Sequence, residues 1–288
     1  HSRCDRLTPS STLCPYTSTR RLSWQSTRIS SRSSPRAKVG GVQVLRAGTT
    51  EQSVLAKSGD NLRIDWGYLY LALPAKQGGT DSVAFNRLAR DAFAKDGRLP
   101  DEDDLEVPRP AARNLPVLAA AFDFGQVGTS SISRYLVIAY DDLMSIEYLQ
   151  RRLRPYWRRN GMDASGLLRA AVQDYETLRE RSGRFDEELT SELERAGGPQ
   201  YAALAVLAYR QALAAHKLVA DLDGTPLYFS KENFSNGCID TVDVTYPSAP
   251  FFLLLNPVLL KGQLKPVMDY AHLPRWRFPF APHDLGTY

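Results

Sequence analysis

Residues 226–257 read PLYFSKENFSNGCIDTVDVTYPSAPFFLLLNP, and this stretch sets polar side chains beside an apolar run. Acids and amides are dense in its first half, at Glu232, Asn233, Asn236, Asp240 and Asp243. The run FFLLL at 251–255 follows and has to face a core. Loops that carry several acids next to buried helices are common places for functional sites, although each acid taken alone could equally be a solvated surface group.

Helical patterns surround this stretch. From residue 163 onward, apolar residues recur every three to four positions, which predicts an amphipathic helix. Gly197-Gly198-Pro199 ends it, because glycine suits the position after a helix and proline the first turn of the next. Residues 200–218 are apolar on almost every side and predict a buried helix, on which His216 is either a satisfied core histidine or a residue that lines a cavity. Further helices are predicted over 250–255 and 257–273.

The first half of the chain has the alternation and aromatic content of β-strands, from Val42 to about Tyr148. A short helix is predicted within it over 82–94. Residues 115–124 and 132–140 read as two strands, and the turn-rich segment 125–131 between them indicates a hairpin. This pattern is typical of the later part of an antiparallel β-sandwich.

Three blocks resemble the glutaminase A family, whose members are secreted fungal and bacterial proteins. The resemblance runs from about Val42 to Tyr288 and is close in YAALAVLAYRQALAAHKLVAD (201–221), FSKENFSNGCIDTVDVTYPSAPFFLLLNP (229–257) and FAPHDLGTY (280–288). It implies a β-sandwich followed by an (α/α)6 toroid of the six-hairpin glycosidase type. It also implies hydrolysis of L-glutamine to L-glutamate and ammonia, in a secreted or periplasmic protein.

We therefore predict an α+β multidomain chain in three parts. Residues 1–40 are a disordered or out-of-frame tail, and residues 41–150 are the C-terminal part of a β-sandwich domain. Residues 151–288 are the N-terminal part of an incomplete (α/α)6 toroid. The sequence supplies two helix pairs where a closed toroid needs six, so we expect the 288-residue piece itself to be inactive.

A weaker resemblance, to retaining β-glycosidases on the same toroid, implies roles for single residues. Those enzymes place a nucleophilic Glu eleven residues before an Asp, with a PHDxG loop further on. Here Glu232 stands eleven residues before Asp243, and PHDLG at 282–286 matches the later loop. The predicted catalytic carboxylates are Glu232 and Asp243, and the predicted substrate-binding groups are Asn233, Asn236, His283 and Asp284. His283-Asp284 has a second reading, as a turn capped by the acid.

Charge distribution excludes a nucleic-acid partner. The positive charge lies in residues 1–36, which contain seven Arg and one acid and have a net charge of +6. Since the whole chain has a net charge of +4, the remaining residues have about −2. Of those 36 residues, 22 are Ser, Thr or Arg without a period, so no packed element is expected there. The remainder has no basic excess that would attract phosphate, and no apolar run is long enough to span a membrane.

Cysteine spacing gives no reason to expect a cofactor or a metal. Cys4 and Cys14 lie in the tail, which leaves Cys238 as a buried thiol or a nucleophile. There is no CxxC pair, phosphate-binding loop or dinucleotide fingerprint, so we predict no metal and no cofactor.

Three functions remain open, each with a small molecule as substrate or ligand. The first is glutamine hydrolysis, which usually needs an activated Ser, Thr or Cys nucleophile with a base nearby. The second is glycoside hydrolysis by paired carboxylates. The third is a carbohydrate-binding module without catalysis.

Overall fold

The computed structural model describes residues 28–30, 35–56, 66–106, 108–110, 115–231 and 237–287. All strand pairs in these residues are antiparallel, and together with the helices they make the chain an α+β protein, as predicted. The strands are β1 (Arg28–Ser30), β2 (Arg36–Val39), β3 (Val42–Thr49), β4 (Tyr68–Pro74), β5 (Thr80–Phe85), β6 (Arg109–Pro110), β7 (Pro116–Ala121), β8 (Val137–Asp141), β9 (Ile146–Tyr148), β10 (Arg151–Leu153), β11 (His216–Ala220) and β12 (Pro226–Ser230). The helices are α1 (Asn86–Asp96), α2 (Ala164–Gln173), α3 (Tyr175–Ala214), α4 (Val242–Leu255) and α5 (Pro257–Ala271).

The chain divides into two compact units. The first comprises residues 1–52, 65–141 and 164–173, and the second comprises 53–64, 142–163 and 174–288. Helix α2 thus groups with the strands of the first unit, although the sequence placed it in the same long helix as α3. The predicted domain boundary after residue 150 stays a prediction.

The first unit is built on a six-stranded sheet in the order β6-β1-β3-β4-β8, with β2 also paired to β3. Strands β5 and β7 form a second sheet of two strands. Because neighbouring residues of a strand face opposite sides, β3 and β4 each bury two sets of side chains. Leu45, Leu71 and Leu73 share a core with residues of the smaller sheet, while Val42 and its neighbours on the other face pack against Leu168 of α2.

Several expectations for this unit are wrong. Residues 115–124 and 132–140 do not form a hairpin, since β7 pairs with β5 and β8 pairs with β4. The helix predicted from residue 82 begins at Asn86, because the residues before it form β5. Strands β1 and β2 lie within the tail for which no packed element was expected, and β2 is fixed by its pairing with β3 through a turn at Gly40 and Gly41, both with positive φ.

An ion-pair cluster joins β2 to β5 in the first unit. The guanidinium of Arg36 donates to the carboxylates of both Asp81 and Asp103 and, at 3.0 Å, to the backbone oxygen of Asp81. The Asp81 side chain is only 3% exposed. The hydrogen bond from Arg36 lowers the pKa of Asp103, against the opposing effect of burial. Arginine therefore satisfies the charge of two carboxylates that the fold withdraws from water.

The core of the second unit forms around the hairpin of β11 and β12, joined by the turn at Gly224. Val219, Leu227 and Phe229 of this hairpin are fully buried, together with Ile146 and Ile239. Helix α5 lies against β12, where a Cβ on Gly262 would stand 2.9 Å from the backbone oxygen of Pro226. Glycine at that position allows the helix to approach the strand closely.

The long helix α3 is interrupted at Gly198, whose φ of 83° and ψ of 174° are not helical. The break confirms the predicted helix end at Gly197-Gly198-Pro199. The helix after it is not buried as expected, since Leu204 is 67% and Leu207 49% exposed. It also ends at Ala214, and the residues from His216 join β12 as a strand. None of the helices in the described ranges is both long and apolar enough to cross a membrane.

Candidate functional site

Asp240 is hydrogen-bonded to Ser230, the last residue of β12. The N–H of Asp240 donates to the backbone oxygen of Ser230 at 3.0 Å, and the Asp240 carboxylate accepts from the N–H of Ser230 at 3.1 Å. Lys231 and Ile239 form an antiparallel bridge directly above this pair. These contacts fix the base of the polar loop predicted from the sequence, whose residues 232–236 are not described.

The C-terminal segment 283–287 lies along the residues that follow this loop. Ile239 exchanges two backbone hydrogen bonds with it, donating to Gly286 at 2.9 Å and accepting from Leu285 at 3.0 Å. Cys238 bridges to Thr287 in the same arrangement. The N–H of Val242 donates to the oxygen of His283 at 2.8 Å. The structure therefore brings the PHDLG loop next to the end of the polar loop, more than forty positions earlier in the chain.

Within this segment, His283 and Asp284 form a hydrogen-bonded pair. The Nδ1 of His283 lies 3.0 Å from Oδ2 of Asp284, and the other carboxylate oxygen accepts from the N–H of Gly286 at 2.8 Å. Burial raises the pKa of Asp284, but the bonds from His283, Gly286 and Cys238 outweigh burial and leave the pKa below its ordinary value. The carboxylate is therefore charged at neutral pH and orients the imidazole through Nδ1.

Asp240 is the most unusual carboxyl group of the site. It is 1% exposed, and its backbone has a φ of 51°, which is rare for residues other than glycine. Its Oδ2 atom is buried and has no hydrogen-bond partner in the described part of the protein. Burial raises its pKa well above the ordinary value, against the smaller opposing effect of the Ser230 N–H. The sequence singled out Asp240 only as one of five acids and amides, since nothing in its neighbours showed that it would be enclosed.

Lys231 belongs to a second polar cluster that the sequence did not reveal. Its ammonium donates to the backbone oxygen of Ser145 at 3.1 Å, and burial lowers its pKa to about 8, although Asp142 acts in the opposite direction. Asp142 in turn pairs with Lys217 at 2.8 Å and accepts from the Ser145 hydroxyl at 3.0 Å. This cluster holds the first residue of the polar loop against the segment that leads into β9.

Asp243 lies in the first turn of α4 and not in a loop, as the sequence predicted for residues 223–245. Residues 226–230 of that predicted loop form β12, because they alternate and pair with β11. The Asp243 side chain is exposed. A carboxylate in the first turn of a helix interacts favourably with the helix dipole.

The predicted site residues thus fall into two groups. His283 and Asp284 contact each other, and through Val242 they lie near Asp243 in the chain. Glu232, Asn233 and Asn236 lie outside the described residues, so their roles stay predictions.

His216 has the surroundings of a core residue. Its ring stacks on Tyr228 at 4.6 Å between centroids, its Nδ1 lies 2.6 Å from the oxygen of Ala212, and its Nε2 lies 2.8 Å from the side-chain nitrogen of Gln263. Burial lowers its pKa, which the bond to Ala212 only partly offsets. Both ring nitrogens are therefore occupied, which favours the core interpretation over the cavity.

Comparison with known families matches the two halves of the chain to two family models. Residues 18–192 match a domain of unknown function (DUF5127), and residues 198–288 match the glutaminase A six helical-hairpin domain. The first match extends into the segment predicted as a tail. The second begins at Gly198, where α3 is interrupted.

Two fungal relatives align with most of the chain. Glutaminase A of Aspergillus oryzae is 31% identical over 243 residues, which cover 82% of this chain and 35% of the relative. A protein of Arthroderma benhamiae named "probable glutaminase" is 29% identical over 238 residues, which cover 78% of this chain and 27% of the relative. The chain thus spans about a third or less of the length of these curated relatives.

Proposed function

The chain belongs to the glutaminase A family, and on that premise we propose that it carries part of the site of a hydrolase that converts L-glutamine to L-glutamate and ammonia. The observation that supports a site is the His283–Asp284 pair, held by backbone hydrogen bonds of its segment to Ile239 and Val242. An imidazole oriented by a charged carboxylate is the usual proton acceptor in amide hydrolysis.

The two carboxylates singled out by the sequence have distinct proposed roles. Glu232 contacts the reacting amide, and Asn233 and Asn236 of the same loop bind polar groups of the substrate. Asp243 has an exposed carboxylate at the start of α4, which suits the ammonium group of an amino acid. His283 and Asp284 supply the acid–base pair.

We place this site in the fold that the resemblance implies. The two sheets of the first unit share a buried core, which is consistent with an antiparallel β-sandwich. The helices within 198–288 are consistent with the start of a six-hairpin toroid. Secretion is also implied by the resemblance alone.

Ammonia release from glutamine tests the proposal directly. The assay uses the 288-residue chain and, in parallel, the longest natural gene product that contains it. We expect Glu232→Gln to lower kcat by about a hundred-fold or more, the usual effect of removing a charged or polar group that contacts the reacting atoms. Glu187→Gln is the matched control, because Glu187 is an exposed residue of α3.

Three results would change the assignment. Equal activity of Glu232→Gln and the parent removes Glu232 from the site. Release of the aryl group from aryl glycosides, without ammonia release from glutamine, moves the assignment to glycoside hydrolysis. Ligand binding without either reaction identifies a binding module.

A further inference from the structure

We propose that His216 and Gln263 form an acid-sensitive latch, which holds α4 and α5 on the β11–β12 hairpin while the imidazole is neutral and releases them when the imidazole is protonated. The inference starts from the hydrogen bond between the two side chains, because its geometry fits only the neutral ring. The latch concerns the packing of the second unit and goes beyond the proposed hydrolysis. Only its expected effect on ammonia release rests on the proposed function.

The hydrogen bonds of His216 assign the position of its proton. Nδ1 lies 2.6 Å from the backbone oxygen of Ala212 in α3, and a carbonyl oxygen only accepts, so Nδ1 carries a hydrogen. Nε2 lies 2.8 Å from the side-chain nitrogen of Gln263 in α5, and an amide nitrogen only donates, so Nε2 accepts. The ring is therefore assigned as the neutral Nδ1–H tautomer.

A third helix fixes the orientation of the Gln263 amide. The amide nitrogen also donates to Oγ of Ser248 in α4 at 2.9 Å, and that hydroxyl group donates its own hydrogen to the backbone oxygen of Thr245 at 2.9 Å. The two hydrogens of the amide nitrogen are thus used by the imidazole and by α4. The amide oxygen, Oε1, is buried and has no hydrogen-bond partner in the described part of the chain. One side chain of α5 therefore ties the start of β11 to α4.

The latch is enclosed by apolar contacts on the same side of the hairpin. Gln263 is 0% exposed. The ring of His216 stacks on Tyr228 of β12 at 4.6 Å and meets the ring of Phe252 in α4 edge-on at 5.4 Å between centroids. Because His216 itself is only partly buried, a proton from solvent can reach it.

The groups that face His216 do not favour a charged ring. Burial lowers its pKa, the bond to Ala212 partly offsets this effect, and no charged side chain of the described residues is among the causes. Tyr228 and, next to it, Tyr209 of α3 are titratable, but burial raises the pKa of both phenols, so both stay neutral. The surroundings therefore hold the ring in the form that the hydrogen bonds require.

Protonation of His216 sets two donors against each other. The cation carries a hydrogen on both ring nitrogens, so Nε2–H would face the NH2 group of Gln263 across 2.8 Å. Rotation of the amide would bring Oε1 to the ring, but it would give up the bond to Ser248 and leave a buried NH2 group where the described residues offer no partner. The other response is separation of α5 from the hairpin. Either response weakens the contacts that hold α4 and α5.

Helix α4 connects the latch with the candidate site. Its first residue, Val242, donates to the backbone oxygen of His283, and its first turn carries Asp243. Displacement of α4 therefore disturbs the segment that holds the His283–Asp284 pair. Under the proposed function, mild acid should lower ammonia release through the latch.

Nitrogen-15 NMR of the histidine rings of the 288-residue chain tests the latch without any activity. We expect the Nδ1–H tautomer at His216 at neutral pH. In Gln263→Glu, a carboxylate oxygen can accept from Nε2–H, so the ring should bind a proton at least about ten-fold more tightly than in the parent. Gln263→Met, which has neither donor nor carboxylate, should titrate between the two.

His272 is the matched internal control for the titration. Its Nδ1 lies 2.6 Å from the backbone oxygen of Met268, four residues earlier, as in His216, but the residue is exposed. Its titration curve should be the same in the parent and in both variants. An Nε2–H tautomer of His216 in the parent at neutral pH, or one midpoint for His216 in all three proteins, would overturn the latch.

Hydrogen exchange measured by mass spectrometry tests the release of the helices in the longest natural gene product that contains the chain. As pH falls below the ordinary pKa of histidine, peptides from α4 and α5 should lose protection in the parent, after correction for intrinsic rates, and should lose less in Gln263→Glu. Peptides from β3 and β4 of the first unit should not distinguish the two proteins. Equal loss of protection in parent and variant at every pH would overturn the release.

Ammonia release by the same gene product separates the latch from the proposed function. We expect mild acid to lower the activity of the parent more than that of Gln263→Glu. A parent without ammonia release would overturn the glutaminase proposal, and the tautomer, the titration and the exchange would still decide the latch. An active parent whose His216 titrates alike in all variants would overturn the latch and leave the glutaminase proposal standing.

Discussion

Asp81 in the first unit and Asp240 in the second are both almost fully buried carboxyl groups, and the fold treats them in opposite ways. Asp81 receives the guanidinium of Arg36, which also binds Asp103. Oδ2 of each acid is buried without a hydrogen-bond partner among the described residues, but the other oxygen of Asp240 receives only the backbone N–H of Ser230. Burial without a paired cation raises the pKa of Asp240 well above its ordinary value. The first arrangement stabilises structure, and the second is typical of functional sites, where strain and shifted pKa values concentrate.

The largest effect expected from this comparison follows removal of the paired cation. Arg36→Met leaves Asp81 enclosed without a partner, and we expect a loss of about 2 kcal/mol in the free energy of unfolding. Breaking a fully buried pair costs roughly 3–5 kcal/mol, and Arg36 is 43% exposed, which reduces the effect. Urea unfolding provides the measurement.

The control for Arg36 is a pair with the same chemistry on the surface. Arg87 bonds Asp91 at 3.3 Å with both side chains well exposed, so Arg87→Met should change the free energy of unfolding by less than about 0.5 kcal/mol. Similar losses in the two variants would show that burial of Asp81 does not matter.

A gain in stability is expected when the unpaired acid is neutralised. Asp240→Asn keeps the acceptor for the Ser230 N–H and tolerates the positive φ, and we expect it to be about 1 kcal/mol more stable than the parent at pH 7. Because the folded protein raises the pKa of Asp240, the stability of the parent falls as pH rises above the unfolded value near 4. The stability gained by Asp240→Asn over the parent should therefore vanish at low pH and grow toward high pH, as measured by unfolding curves at several pH values.

The ion-paired acid Asp103 should change the stability with pH in the opposite direction. The pKa of Asp103 is lowered, so its contribution to stability is present above the unfolded pKa and is lost as pH falls through the folded one. The comparison predicts that the parent loses stability both toward low pH and toward high pH. The loss of stability at low pH should disappear in Arg36→Met, and the loss at high pH should disappear in Asp240→Asn. An Asp240→Asn variant with the slope of the parent would contradict it.

The smallest effect is expected at the exposed acid of the site. Asp243→Asn removes a charge from the first turn of α4, which should cost about 0.5 kcal/mol through the helix dipole. Raising the salt concentration should reduce this difference, since the group is exposed to solvent. A loss above about 2 kcal/mol would mean that Asp243 has buried partners and belongs with Asp81.

Local sequence patterns predicted many of the helices and strands, but they did not predict which strands pair with each other. Continuous alternation identified the strand that begins at Val42, and Gly198 marked the break in α3 as expected. The hairpin expected around residues 125–131 was wrong because a turn signal does not specify which strands pair. The two strands pair instead with β5 and β4, and side chains of these strands share one core.

In the candidate site too, the features carried by one segment were predicted and the contacts between segments were not. The sequence identified the polar loop and the His283–Asp284 motif, because both are dense in side chains with acid–base chemistry. It did not show the enclosure of Asp240 or the pairing of Cys238 with Thr287, because both depend on segment 283–287 folding back along residues 238–242. Such contacts between distant segments have no signature in either segment alone.

The interruption of α3 at Gly198 coincides with the junction of two evolutionary modules, since one match ends at residue 192 and the next begins at 198. A backbone that already changes direction there can accept a new neighbour without losing a helical turn. Both sides of this glycine belong to the second compact unit, so a chimera of two relatives joined there would have to keep the contacts within that unit, with an intact helix on either side.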